Sequence, residues 1–393
     1  MLPGVPNPLR TETSFMSTAI PRIAAGKADT IVIGGGIFGL FTALTVAEAG
    51  KSVIVLDKGP TWAEASAVNA GSLGVQNKLP ALVPYTLWSW DIWNTLPDRL
   101  NDDLGLRRNG GYKIALSEDE AARLEKVVAE QIGSGLEAQR LSPRDLCQQA
   151  PWITPDCVAA TWSPQDGYAS PTRVGPALRR KLKSLGVRII EGAAVVAVEK
   201  TRDIRVLTTA GDFYGTELAI TAGAWSATVA AMLGVTIPIS LDVNMVSVTE
   251  PARPTIGCIV THARGILTLK QVANGSCLIG GGWQGIGSIS DSRKDIDHDQ
   301  LVHNLRLALR VIPGLAQLNV LRSWAGYEGV TPDSYPYLGR LPGHDNVYLA
   351  ACARGGFTLG PLMGTLLGEL ILTDHPSRPI TIFDPGRFTN AAA

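Results

Sequence analysis

With 393 residues, 45% of them hydrophobic and 18% charged, the chain has the apolar content to bury a substantial core, expected to divide into two or three lobes. Its 35 basic and 35 acidic residues cancel, which leaves no global field for nucleic acid or an anionic membrane and points to small molecules as partners. The 42 glycines and 25 prolines are scattered without a period, which argues against repeat and low-complexity classes.

Residues 1–28 contain several prolines and arginines but no apolar run of signal-peptide length, and read as a loose extension. The stretch from Thr30 to Val46 is uncharged and close to the minimum length of a membrane span. Gly34, Gly35, Gly36 and Gly39 would interrupt such a span, whereas a buried strand, a glycine turn and a buried helix use them, so no integral membrane span is expected. The same residues open a strand–turn–helix–strand unit. Thr30 to Ile33 is the first strand, Gly34-Gly35-Gly36-Ile37-Phe38-Gly39 the turn, Leu40 to Ala49 the helix, and Val53 to Asp57 the second strand. In this G-x-G-x-x-G pattern Gly34 makes the tight turn, Gly36 lets backbone approach a pyrophosphate, and Gly39 lets helix and strand pack closely. The phosphates belong at the helix N-terminus, and Asp57 can accept hydrogen bonds from ribose hydroxyls. Glycine turns also occur as plain structure, but here strand, motif, helix, strand and acid appear in order. The unit predicts a dinucleotide site without distinguishing FAD from NAD.

Small residues recur at three later points. Ala63 to Gln76 follows the second strand, and a strand beginning at Glu217 runs into Thr221-Ala222-Gly223-Ala224-Trp225-Ser226. A third strand, Val347 to Ala351, leads into Cys352-Ala353-Arg354-Gly355-Gly356-Phe357-Thr358-Leu359-Gly360 and a helix expected from Pro361. An ordinary glycine turn before a proline-opened helix would look the same. The five cysteines, Cys147, Cys157, Cys258, Cys277 and Cys352, lack metal-binding spacing. A reducing, cytoplasmic setting without a metal site is expected.

The segments Ser66-Ala67-Val68-Asn69-Ala70-Gly71, Trp324-Ala325-Gly326 with Thr331-Pro332-Asp333, and Asp384-Pro385-Gly386-Arg387-Phe388 carry a resemblance. With the first motif, they resemble the FAD-dependent amine and amino-acid oxidoreductases of the D-amino-acid oxidase superfamily, from Asp29 to Phe388. The nearest branch is that of glycine oxidase, sarcosine oxidase, D-amino-acid dehydrogenase and the beta subunits of opine oxidases. The resemblance implies an α/β fold, α+β overall, with a Rossmann-type FAD-binding domain on a parallel sheet and a smaller mixed-sheet substrate domain. The expected boundaries are 29–77, 151–237 and 322–393 for the first, and 78–150 and 238–321 for the second.

It also implies roles. Gly34, Gly36 and Gly39, with Ile37 and Phe38 between them, would hold the pyrophosphate, and Asp57 with Lys58 the adenosine ribose. Ser66, Asn69, Ala70 and Gly71 would lie along the pyrophosphate and isoalloxazine. Val195 and Val196, in a strand from Ala194 to Val198, would meet the adenine through backbone groups, and Thr221, Gly223 and Trp225 would border the crevice. Gly355, Gly356, Phe357 and Thr358 would line the pyrimidine side of the flavin, where a helix N-terminus stabilises developing negative charge.

Two insertions, about Lys78 to Ala150 and Pro238 to Leu321, separate these segments. Strand-like runs at Asp242 to Thr249, Gly265 to Gln271 and Ser276 to Gly281 suggest a sheet that roofs the flavin. Alternation puts Thr268 and Lys270 on one face, so Lys270 is either a buried cation near the flavin or a solvated strand residue. The aromatic residues Tyr85, Trp88, Trp90 and Trp93 fit either a cavity wall or core at near-helical spacing. Relatives that oxidise amino acids place an arginine soon after Trp-Ala-Gly. Here Tyr327 and Glu328 follow, which puts a plain amino-acid substrate in doubt. Arg354 sits where glycine-oxidase-like members face the substrate with an arginine, and its fork suits a carboxylate. Glu328 suits a cationic amine, or else the two pair with each other or with solvent.

No histidine, among His262, His298, His303, His344 and His375, falls in these motifs, and no cysteine matches the covalent flavin link of some relatives. The expectation is noncovalent FAD and hydride transfer from a neutral amine to flavin N5, with Arg354, Lys270, Glu328 and Tyr327 as the candidate catalytic residues. A secondary or N-substituted amine is the favoured substrate. The alternatives are a flavin-binding subunit that depends on electron-acceptor or iron–sulfur partner chains, and an NAD-dependent dehydrogenase.

Overall fold

A computed structural model describes residues 25–200, 202–351 and 354–388. Most of the expected N-terminal extension, and Cys352, lie outside the described residues. Residues 26–28, assigned to that extension, instead begin the first strand, Gly26–Ile33, because they continue its ladder opposite Phe213–Gly215.

Two eight-stranded sheets organise the chain. In the first, Gly26–Ile33 sits between Val53–Leu56 and Gly211–Ile220, parallel to both. Arg188–Ile190 and Val347–Ala351 extend this parallel core on either side, and Tyr337–Arg340 closes one edge antiparallel. Strands Val195–Lys200 and Ile204–Thr208 form an antiparallel appendage on Gly211–Ile220. Val32, Val53 and Val55 pack into one core and Ile31, Ile54 and Leu56 into another, so the central strands are apolar without alternation, as a doubly covered parallel sheet requires.

Helix Ile37–Glu48 is buried along nearly all of its length. Its main partner is helix Gly356–Thr373, which is long and apolar enough to cross a membrane but has 67% of that span buried inside the fold. Three glycines of the second helix make the contact possible. A Cβ at Gly360 would lie 2.6 Å from Ile37, one at Gly364 2.5 Å from the Phe38 carbonyl, and one at Gly368 2.6 Å from Thr45. This helix begins at Gly356, five residues before the expected proline start, and carries Pro361 in its interior. Its start is set by Gly355, the left-handed N-cap residue, and not by the proline. The helix Val83–Leu100 buries Trp90 and Trp93 completely, and the Trp93 indole donates to the Thr358 carbonyl at 3.0 Å. The aromatic cluster is therefore core.

The second sheet runs in the order Val320–Val330, Ser240–Thr249, Cys277–Gly280, Thr268–Gln271, Ile259–His262, Gly111–Ala115, Ala159–Ser163, Gln139–Leu141. Strand 159–163 and all but the first two residues of strand 320–330 fall in segments expected to belong to the nucleotide lobe. Strand 320–330 pairs antiparallel with 240–249 from Ser240 opposite Val330 to Thr249 opposite Val320, and 159–163 pairs with 111–115. Long ladders satisfy backbone groups that the local sequence pattern cannot assign to a sheet.

Candidate active site

The first turn behaves as its glycines dictate. Gly34 has φ +104°, and a Cβ at Gly39 would stand 2.0 Å from the Gly34 carbonyl oxygen and 2.5 Å from Thr221 Oγ1. The Thr221 hydroxyl in turn donates to the Gly34 carbonyl at 2.9 Å, tying the small-residue segment 221–226 to the glycine turn. Asp57 braces the turn. Its Oδ2 accepts from the Gly35 N–H at 2.8 Å and its Oδ1 from the Gly59 N–H at 3.0 Å, while burial raises its pKa. At the start of helix Ile37–Glu48 the Ile37 N–H donates to Ser66 Oγ at 2.8 Å, one of the orphan donors of a helix N-terminus.

A cavity of about 430 Å³ opens beside this turn and extends to the start of helix Gly356–Thr373. Gly34, Gly36, Ile37, Phe38, Asp57, Lys58, Ser66, Asn69, Ala70, Gly71, Val195, Thr221, Gly223, Trp225, Gly355, Gly356 and Phe357 all line it, as do Tyr327 and Glu328. Gly39, Val196 and Thr358 do not. Gly39 serves packing, the Val196 side chain is 58% exposed, and the Thr358 hydroxyl donates to the Ser72 carbonyl at 3.3 Å. On the appendage the lining falls instead to Ala193, Ala194 and Val195.

The roof comes from the second sheet through Asn244, Met245, Val246 and Thr268, with Gly280, Gly281 and Gly282. Lys270 stands two residues beyond Thr268 and is buried, not solvated. Its ammonium donates to the Ala70 carbonyl and lies 3.5 Å from Ser72 Oγ. Burial pulls its pKa down to about 7.

Glu328 and Arg354 do not pair. Arg354 bridges to Asp242 from an exposed position, whereas Glu328 accepts from Asn244 Nδ2 and, at 3.2 Å, from the Gly355 N–H. Burial raises the Glu328 pKa, opposed by the Gly355 donor. The Tyr327 hydroxyl is committed to the Ser288 and Arg293 carbonyls of a small hairpin, and its ring meets Trp225 edge-on at 5.6 Å. Lys294 of that hairpin pairs with Glu64, also in the cavity lining, and Lys58 lies 3.3 Å over the Trp225 ring.

Sequence reasoning missed the polar framework behind these walls. Lys78 is buried, its ammonium donates to the Gly355 carbonyl at 2.8 Å, and burial lowers its pKa to about 8. Gln76 forms the hub of a second cluster. Its carbonyl accepts from Lys113 at 2.8 Å and its side chain bonds Asp166, Gly111 and Thr161. The signal available was two polar residues, Gln76 and Lys78, placed just after a run of small residues.

The chain belongs to the FAD dependent oxidoreductase family (DAO), whose pattern it matches over residues 29–370. It is an enzyme of that class and its cofactor is FAD, which sets aside the NAD-dependent alternative. Among its relatives, an opine oxidase subunit of Rhizobium meliloti is 27% identical over 375 residues, 92% of this chain and 98% of that one. Glycine oxidase of Geobacillus kaustophilus is 27% identical over 376 residues, covering 92% and 96%. The crystal structure of L-proline dehydrogenase from P. horikoshii superposes with a TM-score of 0.86 at 26% identity, covering 93% of this chain and 99% of that one.

Proposed function

We propose that this enzyme holds FAD noncovalently in the cavity and oxidises the carbon–nitrogen bond of a small amine or amino acid, with a secondary or N-substituted amine favoured. The observation that carries the reading is one cavity that joins the glycine turn at Gly34–Gly39 to the N-terminus of helix Gly356–Thr373 beneath a polar roof. Two helix N-termini face the same space, which suits a pyrophosphate at one end and an electron-rich ring at the other. The residues fit the cofactor's parts: Gly34, Gly36, Ile37, Phe38 and Ser66 beside the phosphates, Asp57 and Lys58 toward the ribose, and Ala193 to Val195 toward the adenine. Ala70, Gly71, Gly355, Gly356 and Phe357 then border the ring system.

When bound, FAD supplies the hydride acceptor, its N5. The chain positions and encloses. Its roof covers the cavity, Lys270 fixes a cation beside the Ala70 carbonyl, and Glu328 presents a carboxylate to the substrate space. The amine gives up a hydride and a proton, and the resulting imine is hydrolysed by water.

The names of the relatives support amines and amino acids as the substrate class, since they include an opine oxidase, a glycine oxidase and a proline dehydrogenase. The test is the visible spectrum of the purified protein before and after anaerobic addition of N-alkyl amino acids, D-amino acids, opines and simple amines. Bleaching by one class is the expected outcome, and bound flavin bleached by none of them rejects the self-sufficient enzyme. A partner-dependent chain is the second reading, favoured by the 98% coverage of a relative that is itself one subunit of an opine oxidase. Co-purification of further chains distinguishes it.

A further inference from the structure

Glu328 is a half-buried carboxylate whose hydrogen-bond partners among the described residues are both neutral. On strand 320–330 it stands opposite Asp242, and Asn244, two residues further along strand 240–249, shares that face. A relay fixes how these groups point. The Val243 N–H donates to Gln284 Oε1 at 2.7 Å, so Gln284 turns its amide nitrogen to Asn244 Oδ1 at 2.9 Å and to the Gly282 carbonyl at 3.1 Å. With its oxygen taken, Asn244 offers Nδ2 to Glu328 Oε2, while the Gly355 N–H reaches Oε1. Both carboxylate oxygens therefore meet donors, an arrangement that suits the ionised form.

Two cations are near, yet neither contacts it. Arg354 is spent on Asp242, and Lys78 acts from the far side of Gly355, bound to that residue's carbonyl. Glu328 nevertheless lines the cavity. An aimed carboxylate with only neutral hydrogen-bond partners, open to a ligand space, lacks one thing: a direct counter-charge.

We infer that Glu328 is a specificity-determining residue that docks a positively charged group of the substrate, an ammonium or guanidinium distinct from the nitrogen being oxidised. The inference rests on the amine-oxidation reading above and deepens it. The reacting nitrogen must be neutral, because its lone pair has to form the C=N bond as the hydride leaves. A permanent cation on Glu328 is thus a second group, which makes the substrate a basic amine: a diamine, or an N-substituted amino acid with a basic side chain.

The experiment uses two redox-inert probes of matched length, butylguanidinium and butyrate, titrated into the FAD-loaded protein and read by the flavin difference spectrum. Butylguanidinium is expected to bind the wild type more tightly than butyrate. Glu328→Gln should weaken it at least about tenfold, the penalty for removing one partner of a desolvated charge pair, without weakening butyrate. Glu328→Asp, which keeps the charge, should restore part of the binding, and flavin content checks that each variant is folded. Equal butylguanidinium affinity in wild type and Glu328→Gln, or a wild type that prefers butyrate, overturns the inference. Neither probe is oxidised, so this outcome is separate from failure of the amine panel to bleach the flavin, which would reject the underlying reading instead.

Discussion

Lys78 and Glu328 grip opposite ends of one residue: the lysine ammonium donates to the Gly355 carbonyl at 2.8 Å, and the glutamate accepts from the Gly355 N–H at 3.2 Å. Gly355 has φ +70°, and a Cβ there would fall 2.1 Å from Lys78 Nζ. Gly355→Ala is expected to cost about 1–3 kcal/mol through backbone strain and displacement of the lysine. It should also weaken FAD retention, because the loop opening helix Gly356–Thr373 shifts. Urea unfolding and FAD titration of the apoprotein check both.

The same clamp predicts a non-additive pair. Lys78→Met removes the donor to the Gly355 carbonyl and a charge that compensates Glu328 without touching it, and should lower stability by about 1–3 kcal/mol, the range for an acceptor left unsatisfied. Lys78→Met/Glu328→Gln should recover part of that loss. A double-mutant cycle in urea with additive effects would show that the two charges are not coupled through Gly355.

Lys270 predicts a pH dependence with a definite sign. Its pKa is about 7 in the folded protein against an ordinary value of 10.5. Between those values the unfolded chain carries a proton that the native state lacks, so this group's contribution to stability rises with pH. Below about 7 both states are protonated and the cost of burying the charge is fully present. Lys270→Met should therefore raise the melting temperature by several degrees at pH 6, with the gain shrinking toward pH 10. A difference between variant and wild type that stays constant across that range would contradict the assignment.

Arg387 and Asp333 join two of the sequence signatures. The guanidinium binds Asp333 through Nε at 2.8 Å and Nη2 at 3.0 Å, donates to the Tyr335 and Phe383 carbonyls, and lies 4.1 Å over the Tyr337 ring. The pair holds Asp333 below the usual carboxylate range despite burial. Arg387→Lys keeps the charge but loses the fork and the stacking, and should cost about 1–3 kcal/mol in denaturant midpoint analysis.

The nucleotide unit was legible because each of its parts has a local cause: an apolar run, glycines at fixed offsets, an apolar helix and an acid. The position of Asp57 at the end of the second strand was legible, and its bonds to the Gly35 and Gly59 N–H groups were not foreseen. Strand 320–330 was not foreseen as part of the second sheet, since membership of a sheet depends on a partner some eighty residues away, Asn244 opposite Gly326 for example. The helix start at Gly356 was missed for a related reason. Proline has a strong local preference, whereas the Lys78 and Glu328 bonds that set the turn come from distant segments. Asn244 and Gln284 carried no spacing signal at all. A lone polar residue in an apolar stretch looks like surface until packing shows it facing a partner.

The glycine-mediated contact between helices Ile37–Glu48 and Gly356–Thr373 has a consequence for biosynthesis. The helix on which the first one rests is made roughly 300 residues after it. A helix emerging at the usual pace of translation must wait for that intervening stretch before its apolar side is covered. A stop codon upstream of Gly356 is then expected to leave the first helix without its apolar cover and the cavity without Gly356 and Phe357.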